Sequence, residues 1–265
     1  MSVDNTVPMA ETDFLSRRGM APELPHRYTV TPTVQRVQMA TTVAIRTNKI
    51  AVISGAPGTG KTTAVAAAAH ELCHQAVYVL MPDSTSVRAI LATIWTCMTH
   101  TPATGTMLDI RDAMLVHLMR HPVVLLIDDA HYVSQNGLRT ITGIWNAVAT
   151  LRGHGVPIVL VGNNLLRELA KVPELVSRTI SRVETCPLSP DELREALATM
   201  CPRTTLTDWG VWRDLDRRYF EGNLRKWADF LDILDILTQA DAATADVAYE
   251  PSALTSALQT MGYVQ

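Results

Sequence analysis

No run of apolar residues in this 265-residue chain is long enough to cross a bilayer, so a membrane-spanning helix is not expected. The first residues lack the basic-then-apolar pattern of a secretory signal. Asp4, Glu11 and Asp13 stand there instead, and a cytoplasmic protein is expected. Cysteine is scarce: Cys73, Cys97, Cys186 and Cys201 are scattered without metal-ligand spacing, which speaks for small buried apolar residues rather than bridges or zinc ligands. Strong basicity is absent too. A formal net charge of −3 argues against a protein that coats nucleic acid through charge alone, although local positive faces remain compatible with it.

What is present suits a folded chain with one core and a smaller helical appendage, since 47% of the residues are hydrophobic. The octapeptide Gly55-Ala56-Pro57-Gly58-Thr59-Gly60-Lys61-Thr62 follows the apolar run Ile50-Ala51-Val52-Ile53 and leads through Thr63 into an alanine-rich stretch. Strand, glycine-rich turn and helix in that order make a phosphate cradle. Gly55, Gly58 and Gly60 are expected to take φ > 0 and to leave no side chain between the backbone amides and a polyphosphate. The helix start adds unpaired N–H donors and the positive end of a dipole. Lys61 can reach the β- and γ-phosphates, and the Thr62 hydroxyl can ligate Mg²⁺.

A second apolar run, Val123-Val124-Leu125-Leu126-Ile127, ends in Asp128-Asp129. Such a run suits a strand covered on both faces, and its carboxylates fall where the chain leaves the sheet, the edge at which ligands bind. Asp128 is expected to hold Mg²⁺, directly or through water, opposite Thr62. Asp129 then orients or deprotonates the attacking water. A third run, residues 156 to 161, delivers Gly162-Asn163-Asn164 to the same edge, where the Asn163 amide can contact both the γ-phosphate and that water.

Apolar spacing predicts helices over residues 33 to 47, 84 to 98, 109 to 120 and 135 to 151, and short strands over 77 to 80 and 183 to 186. Alternating strands and helices specify a parallel sheet flanked by helices. Beyond Ser189 the pattern turns to helices only, at 190 to 200, 207 to 220 and 223 to 239, which reads as a small helical lid. The expected division is a flexible N-terminal arm over 1 to 28, an α/β core over 29 to 187, a lid over 188 to 239, and a linker with a terminal helix over 240 to 265.

These elements together resemble the AAA+ ATPases over roughly residues 30 to 238. Gly55 to Thr62 match Walker A, residues 123 to 129 match Walker B, and Asn163 falls at sensor 1. Arg178 and Arg182 lie in the arginine-finger region, ahead of Arg167 as candidates to reach a neighbouring subunit's γ-phosphate. Gly222-Asn223-Leu224-Arg225 is similar to the sensor 2 motif, which assigns Arg225 to bound nucleotide. Within that class Ile127-Asp128-Asp129-Ala130-His131, the Val-Gly-Asn strand end and the Arg-x-x-x-Arg entry to the lid look most like the transposition ATPases of the MuB and TnsC type and their relative ExeA.

The resemblance implies ATP and Mg²⁺ as cofactors, and a homo-oligomer, ring or helical filament, on double-stranded DNA without sequence preference. It also implies a transposase or target-selection protein as partner, and no membrane. Arg88, Arg111, Arg139 and Lys171 are candidate donors to DNA phosphates, or solvated surface charges. An ExeA-like secretion role or a nucleotide-switched signalling or defence module stays open. The family usually has glutamate where this chain has Asp129, so slow hydrolysis is expected.

Overall fold

Four apolar runs and one mixed, partly exposed edge strand form one parallel sheet. The computed structural model describes residues 18–72, 75–83, 86–239 and 246–264. Its strands β1 (Ile50–Gly55), β2 (Ala76–Leu80), β3 (Val124–Asp128), β4 (Ile158–Gly162) and β5 (Thr179–Thr185) lie in the order β2-β3-β4-β1-β5. All four neighbouring pairs are parallel. The three central strands are buried at every position, whereas β5 at one edge alternates between half-buried and exposed. That contrast is why the central strands read as unbroken apolar runs.

Helices cover both faces. On one side lie α1 (Pro32–Thr47) and α2 (Lys61–Leu72), packed on Ala51 and Ile53 of β1 and on Leu126 and Val159. On the other lie α3 (Val87–Thr99), α4 (Met107–Arg120) and α5 (Gln135–Arg152), packed on Ile50, Val52, Leu125 and Ile127. Successive residues of β1 thus serve opposite cores, as a two-residue side-chain period requires. Hydroxyl side chains cap these helices: Thr31, Ser86, Thr106 and Ser134 each accept a backbone N–H from the first turn of the helix they precede.

Two short helices, α6 (Leu165–Leu169) and α7 (Pro173–Arg178), fill the connection from β4 to β5. They are too short to show a helical period, and the sequence reading missed them. The same reading placed the last strand at 183 to 186. The strand instead begins at Thr179, directly after α7, with a register shift between Ile50 and Ala51 of its neighbour. Its polar, edge-exposed residues Ser181, Arg182 and Glu184 hide it from an apolar-run criterion.

Beyond the sheet come α8 (Pro190–Met200), α9 (Trp209–Leu215), α10 (Leu224–Leu237) and α11 (Pro251–Thr260). The single helix expected over 207 to 220 is α9 followed by a π-helical turn at Asp216–Phe220. These helices share their own core, in which Trp212, Phe220, Trp227 and Phe230 are all fully buried. The Phe220 and Trp227 rings pack edge-on with centroids 4.6 Å apart, a geometry that adds about 0.5–1.5 kcal/mol beyond area burial. Leu254, Ala257 and Leu258 of α11 complete this cluster, which gives the terminal helix its destination. Of the cysteines, Cys97 and Cys201 are buried as expected, Cys186 is exposed contrary to expectation, and Cys73 lies outside the described residues. Residues 1–17 of the expected arm and 240–245 of the expected linker also lie outside them.

Gly55 is the tightest point between sheet and loop. A Cβ there would fall 2.1 Å from Thr185 Oγ1 and 2.4 Å from the Thr185 carbonyl oxygen. Gly55→Ala is expected to lower stability by about 1–3 kcal/mol through overpacking. Gly143→Ala in α5, where a Cβ meets nothing within 4 Å, should raise it by about 0.5–1 kcal/mol. Urea denaturation of the two variants checks the pair, and equal midpoints would contradict it.

Candidate functional site

The turn after β1 takes its shape from Gly58 and Gly60, whose φ angles are 80° and 83°. Gly55 does not share that conformation; its small size serves close contact with β5 instead. Thr59, only 2% exposed, turns inward. Its hydroxyl donates to the Ala56 carbonyl at 2.9 Å and lies 2.7 Å from the Thr185 hydroxyl. Thr59 therefore fastens the loop to the sheet. Lys61 opens α2, and its ammonium donates to the carbonyl oxygens of Gly55 at 2.9 Å and Ala56 at 2.7 Å.

Because all strands are parallel, Asp128 at the end of β3 and Asn163 just past β4 reach the same edge as this loop. Asp128 is 1% exposed and fully engaged. Its Oδ1 accepts the Asp129 N–H at 2.8 Å, and its Oδ2 accepts the Tyr78 hydroxyl at 2.8 Å. Burial and the Asp128 charge push the Tyr78 phenol far up, so it stays a donor. Asp129 is left-handed at φ 52° and makes no side-chain bond to the 3₁₀ turn Ala130–Tyr132 that it precedes.

The charges in this corner feel one another. Burial and Asp128 raise the Asp129 carboxyl above its ordinary range, against the opposing pull of His131, Lys61 and Arg225. Burial lowers the Lys61 ammonium, with Asp128 opposing and Arg225 assisting. An anion near a buried ammonium offsets the cost of its desolvation.

Lys61, Thr62, Thr63, Asp128, Asp129 and Asn163 border a single cavity of about 400 Å³, together with Gly58 and Gly60. Arg225 closes it from the first turn of α10. Asn223 caps that helix by accepting the N–H groups of Arg225 and Lys226, and its own amide donates to the Pro57 carbonyl at 3.2 Å. The Leu224 N–H donates to the Gly58 carbonyl at 3.0 Å. Helical unit and loop are thus bonded directly through main chain.

The far wall was not expected. Pro25, Tyr28, Thr29 and Thr31 line the cavity, so residues 18–31 pack on the protein where the sequence predicts an arm as far as 28. Buried Arg27 explains why. It donates to Asp232 Oδ1 at 2.6 Å, to Asp235 Oδ2 and to the Met200 carbonyl at 3.1 Å, binding this segment to α10 and α8. Gly19 adds to the sheet edge by accepting the Tyr78 N–H at 2.9 Å. Partners some 205 positions apart leave no local signal.

Other predicted residues lie elsewhere. Neither Arg178 nor Arg182 lines the cavity. Arg178 Nε donates to Asn146 at 2.9 Å and its guanidinium sits 5.3 Å from the Trp145 ring centre, while Arg182 is exposed on β5. Arg167 is exposed on α6. Arg88, Arg111, Arg139 and Lys171 each contact a near neighbour, respectively Gly105, Asp112, Asn136 and Glu168. Among the described residues no group of three or more His, Cys, Asp or Glu forms a metal cluster.

The residues nevertheless fit a magnesium-bound triphosphate. No Cβ intrudes at positions 58 and 60, Lys61 is buried with its ammonium on the carbonyls of its own loop, and Asp128 is fixed by two donors. Tyr78→Phe strips one of those donors from a buried carboxylate and is expected to cost about 1–3 kcal/mol. Thermal or urea unfolding measures it, and an unchanged midpoint would show that the Tyr78 bond contributes nothing.

Comparison with known proteins agrees with this geometry. Residues 45–170 match a family model described as an AAA domain. No curated protein matches the chain. Among solved structures, the ORC2 protein of Aeropyrum pernix superposes with a TM-score of 0.65 at 15% identity, covering 91% of this chain and 69% of that one. The ORC1 protein of the same organism, in complex with DNA, gives 0.64 at 15% identity, covering 88% and 66%. Cdc6p from Pyrobaculum aerophilum gives 0.62 at 17%, covering 94% and 70%. Residues 45–170 are thus similar to an AAA domain, and the chain has the P-loop AAA+ fold, a five-stranded parallel sheet flanked by helices with further helices after it.

Proposed function

We propose that the chain is a magnesium-dependent ATPase that works as a homo-oligomer on double-stranded DNA. One observation carries this reading: Lys61, Thr62, Asp128, Asp129, Asn163 and Arg225, from four separate stretches of sequence, border one cavity. Bound magnesium–ATP would supply a phosphoryl group whose charge is partly neutralised by the metal. The amides around Gly58 and Gly60, with Lys61, would hold the phosphates. Thr62 and Asp128 would hold the metal.

Asp129 would orient or deprotonate the attacking water, and Asn163 would report the γ-phosphate. Its raised pKa suits Asp129 to accept a proton, but its side chain is one methylene shorter than glutamate, so turnover is slow. Arg225 would couple phosphate to the position of α10. Arg178 and Arg182 lie outside their own cavity, where an arginine acting on a neighbouring subunit belongs. Arg182 is already exposed, whereas Arg178 would have to leave Asn146 and Trp145.

Contact with DNA is supported by the fold shared with ORC1 in its DNA complex. Those contacts would fall on phosphates, without sequence preference. The motif resemblance to the MuB and TnsC type favours a regulator of DNA transposition that marks target DNA and recruits or activates a transposase, in the cytoplasm. A long-lived ATP state suits that task, because nucleotide bound between subunits holds an assembly together until a partner triggers turnover.

Lys61→Ala is expected to weaken ATP binding at least about tenfold and to abolish ATP-dependent self-association. Fluorescent-nucleotide titration and sedimentation with and without duplex DNA measure both. Large particles that need ATP and DNA together are expected. DNA-independent rings would point to a secretion or signalling role, and particles indifferent to nucleotide would defeat the proposal. Asp129→Glu should raise phosphate release, and an unchanged or lower rate would remove the short side chain as the cause of slow turnover.

A further inference from the structure

The π-helical turn at Asp216–Phe220 extends α9 into a buried carboxylate. Such turns are rare and are frequently found at functional sites. This one is closed by the Glu221 N–H, which donates to the Asp216 carbonyl at 2.7 Å. Asp216 is 9% exposed, and among the described residues no cation forms an ion pair with it. Two donors compensate its Oδ1 instead, the Gly222 N–H at 2.7 Å and the Trp227 indole N–H at 2.8 Å. Both belong to the start of α10. Three further bonds hold the same stretch: Asn223 N–H to the Phe220 carbonyl at 3.0 Å, the Lys226 ammonium to the Tyr219 carbonyl at 2.9 Å, and Leu188 N–H to the Gly222 carbonyl at 3.0 Å. Gly222 has φ 69°, and a Cβ there would fall 2.3 Å from the Leu188 carbonyl oxygen, so glycine lets the turn close.

We infer that Asp216 is a positioning residue for the nucleotide site: it sets where α10 begins, and through that start it places Asn223, Leu224 and Arg225 against the phosphate loop. This rests on the reading above that Arg225 engages bound nucleotide. The path consists of direct bonds. Asp216 holds Gly222, the next two residues donate to the Pro57 and Gly58 carbonyls, and the residue after them, Arg225, borders the cavity. The Trp227 bond ties the same carboxylate to the buried aromatic core of the helical unit. Without the Asp216 oxygen, two buried N–H groups lose their acceptor, and the start of α10 is free to shift against the loop.

Asp216→Leu removes the acceptor while keeping a branched side chain; Asp216→Asn keeps an oxygen at the Oδ1 position. In the nucleotide-free protein, amide exchange is expected to speed up in the Leu variant at residues 58–63 as well as at 222–228, and much less in the Asn variant. Nucleotide titration should show the preference for ATP over ADP falling about 5-fold or more in the Leu variant, as in Arg225→Ala, with little further loss when the two are combined. Trp227→Phe, which removes one donor and keeps a ring in the core, should do the same in smaller measure, and it replaces the Leu variant if that one does not fold. A purely structural Asp216 would lower the melting temperature and loosen residues 216–228 alone, with loop exchange and nucleotide preference unchanged. That result overturns the assignment, as do losses from Asp216→Leu and Arg225→Ala that multiply independently. Failure of the reading of Arg225 looks different: Arg225→Ala itself leaves the preference for ATP over ADP untouched. Loop exchange then decides alone, and an unchanged loop overturns the assignment.

Discussion

The main chain of the phosphate loop is pressed from two sides, and neither side leaves room for a side chain. Gly55 abuts Thr185 of β5, and Gly58 abuts the Asn223 side chain at the start of α10. Hydrogen bonds from Asn223 to Pro57 and from Leu224 to Gly58 close the second contact. A loop so held has little conformational freedom left to lose when a ligand arrives, which is the physical content of preorganisation. The same bonds mean that α10 cannot move relative to the sheet without disturbing the loop. Glycine at these positions is therefore a packing requirement as much as a conformational one.

Charge is handled by a parallel logic. Asp128 is buried without penalty from unpaired oxygens because Tyr78 and the Asp129 N–H satisfy it. Lys61 turns its ammonium onto the carbonyls of its own loop, a local arrangement that costs little to exchange for phosphate oxygens. Arg27 does for the remote wall what Asn223 does for the loop. Its buried guanidinium draws the chain preceding α1 onto Asp232 and Asp235, so α10 and this segment both border the cavity. Both fasteners engage the helical unit that carries Arg225: Asn223 belongs to it, and Arg27 bonds Asp232 and Asp235 within it.

Much of this was legible in the sequence, for identifiable reasons. Central strands announce themselves as apolar runs, helices by their apolar spacing, and the phosphate loop by glycines at fixed offsets from a lysine. The two carboxylates and Asn163 followed from where those strands had to end. What stayed hidden depends on tertiary contact or on edges. β5 was misplaced because an exposed edge strand tolerates arginine and glutamate. Tyr78 looked like one more apolar strand residue, although its hydroxyl secures Asp128. Gly55 was grouped with Gly58 and Gly60 by spacing, yet it answers to Thr185 rather than to φ. Arg27 could not be read at all, because its partners lie at the other end of the chain.

The most direct test of the account is amide hydrogen exchange on the intact protein with and without magnesium–ATP. If triphosphate seats on the loop and the α10 terminus is bonded to that loop, exchange should slow together at residues 58–63 and 222–228. Protection of the loop while residues 222–228 exchange as before, or no change in either, would contradict it.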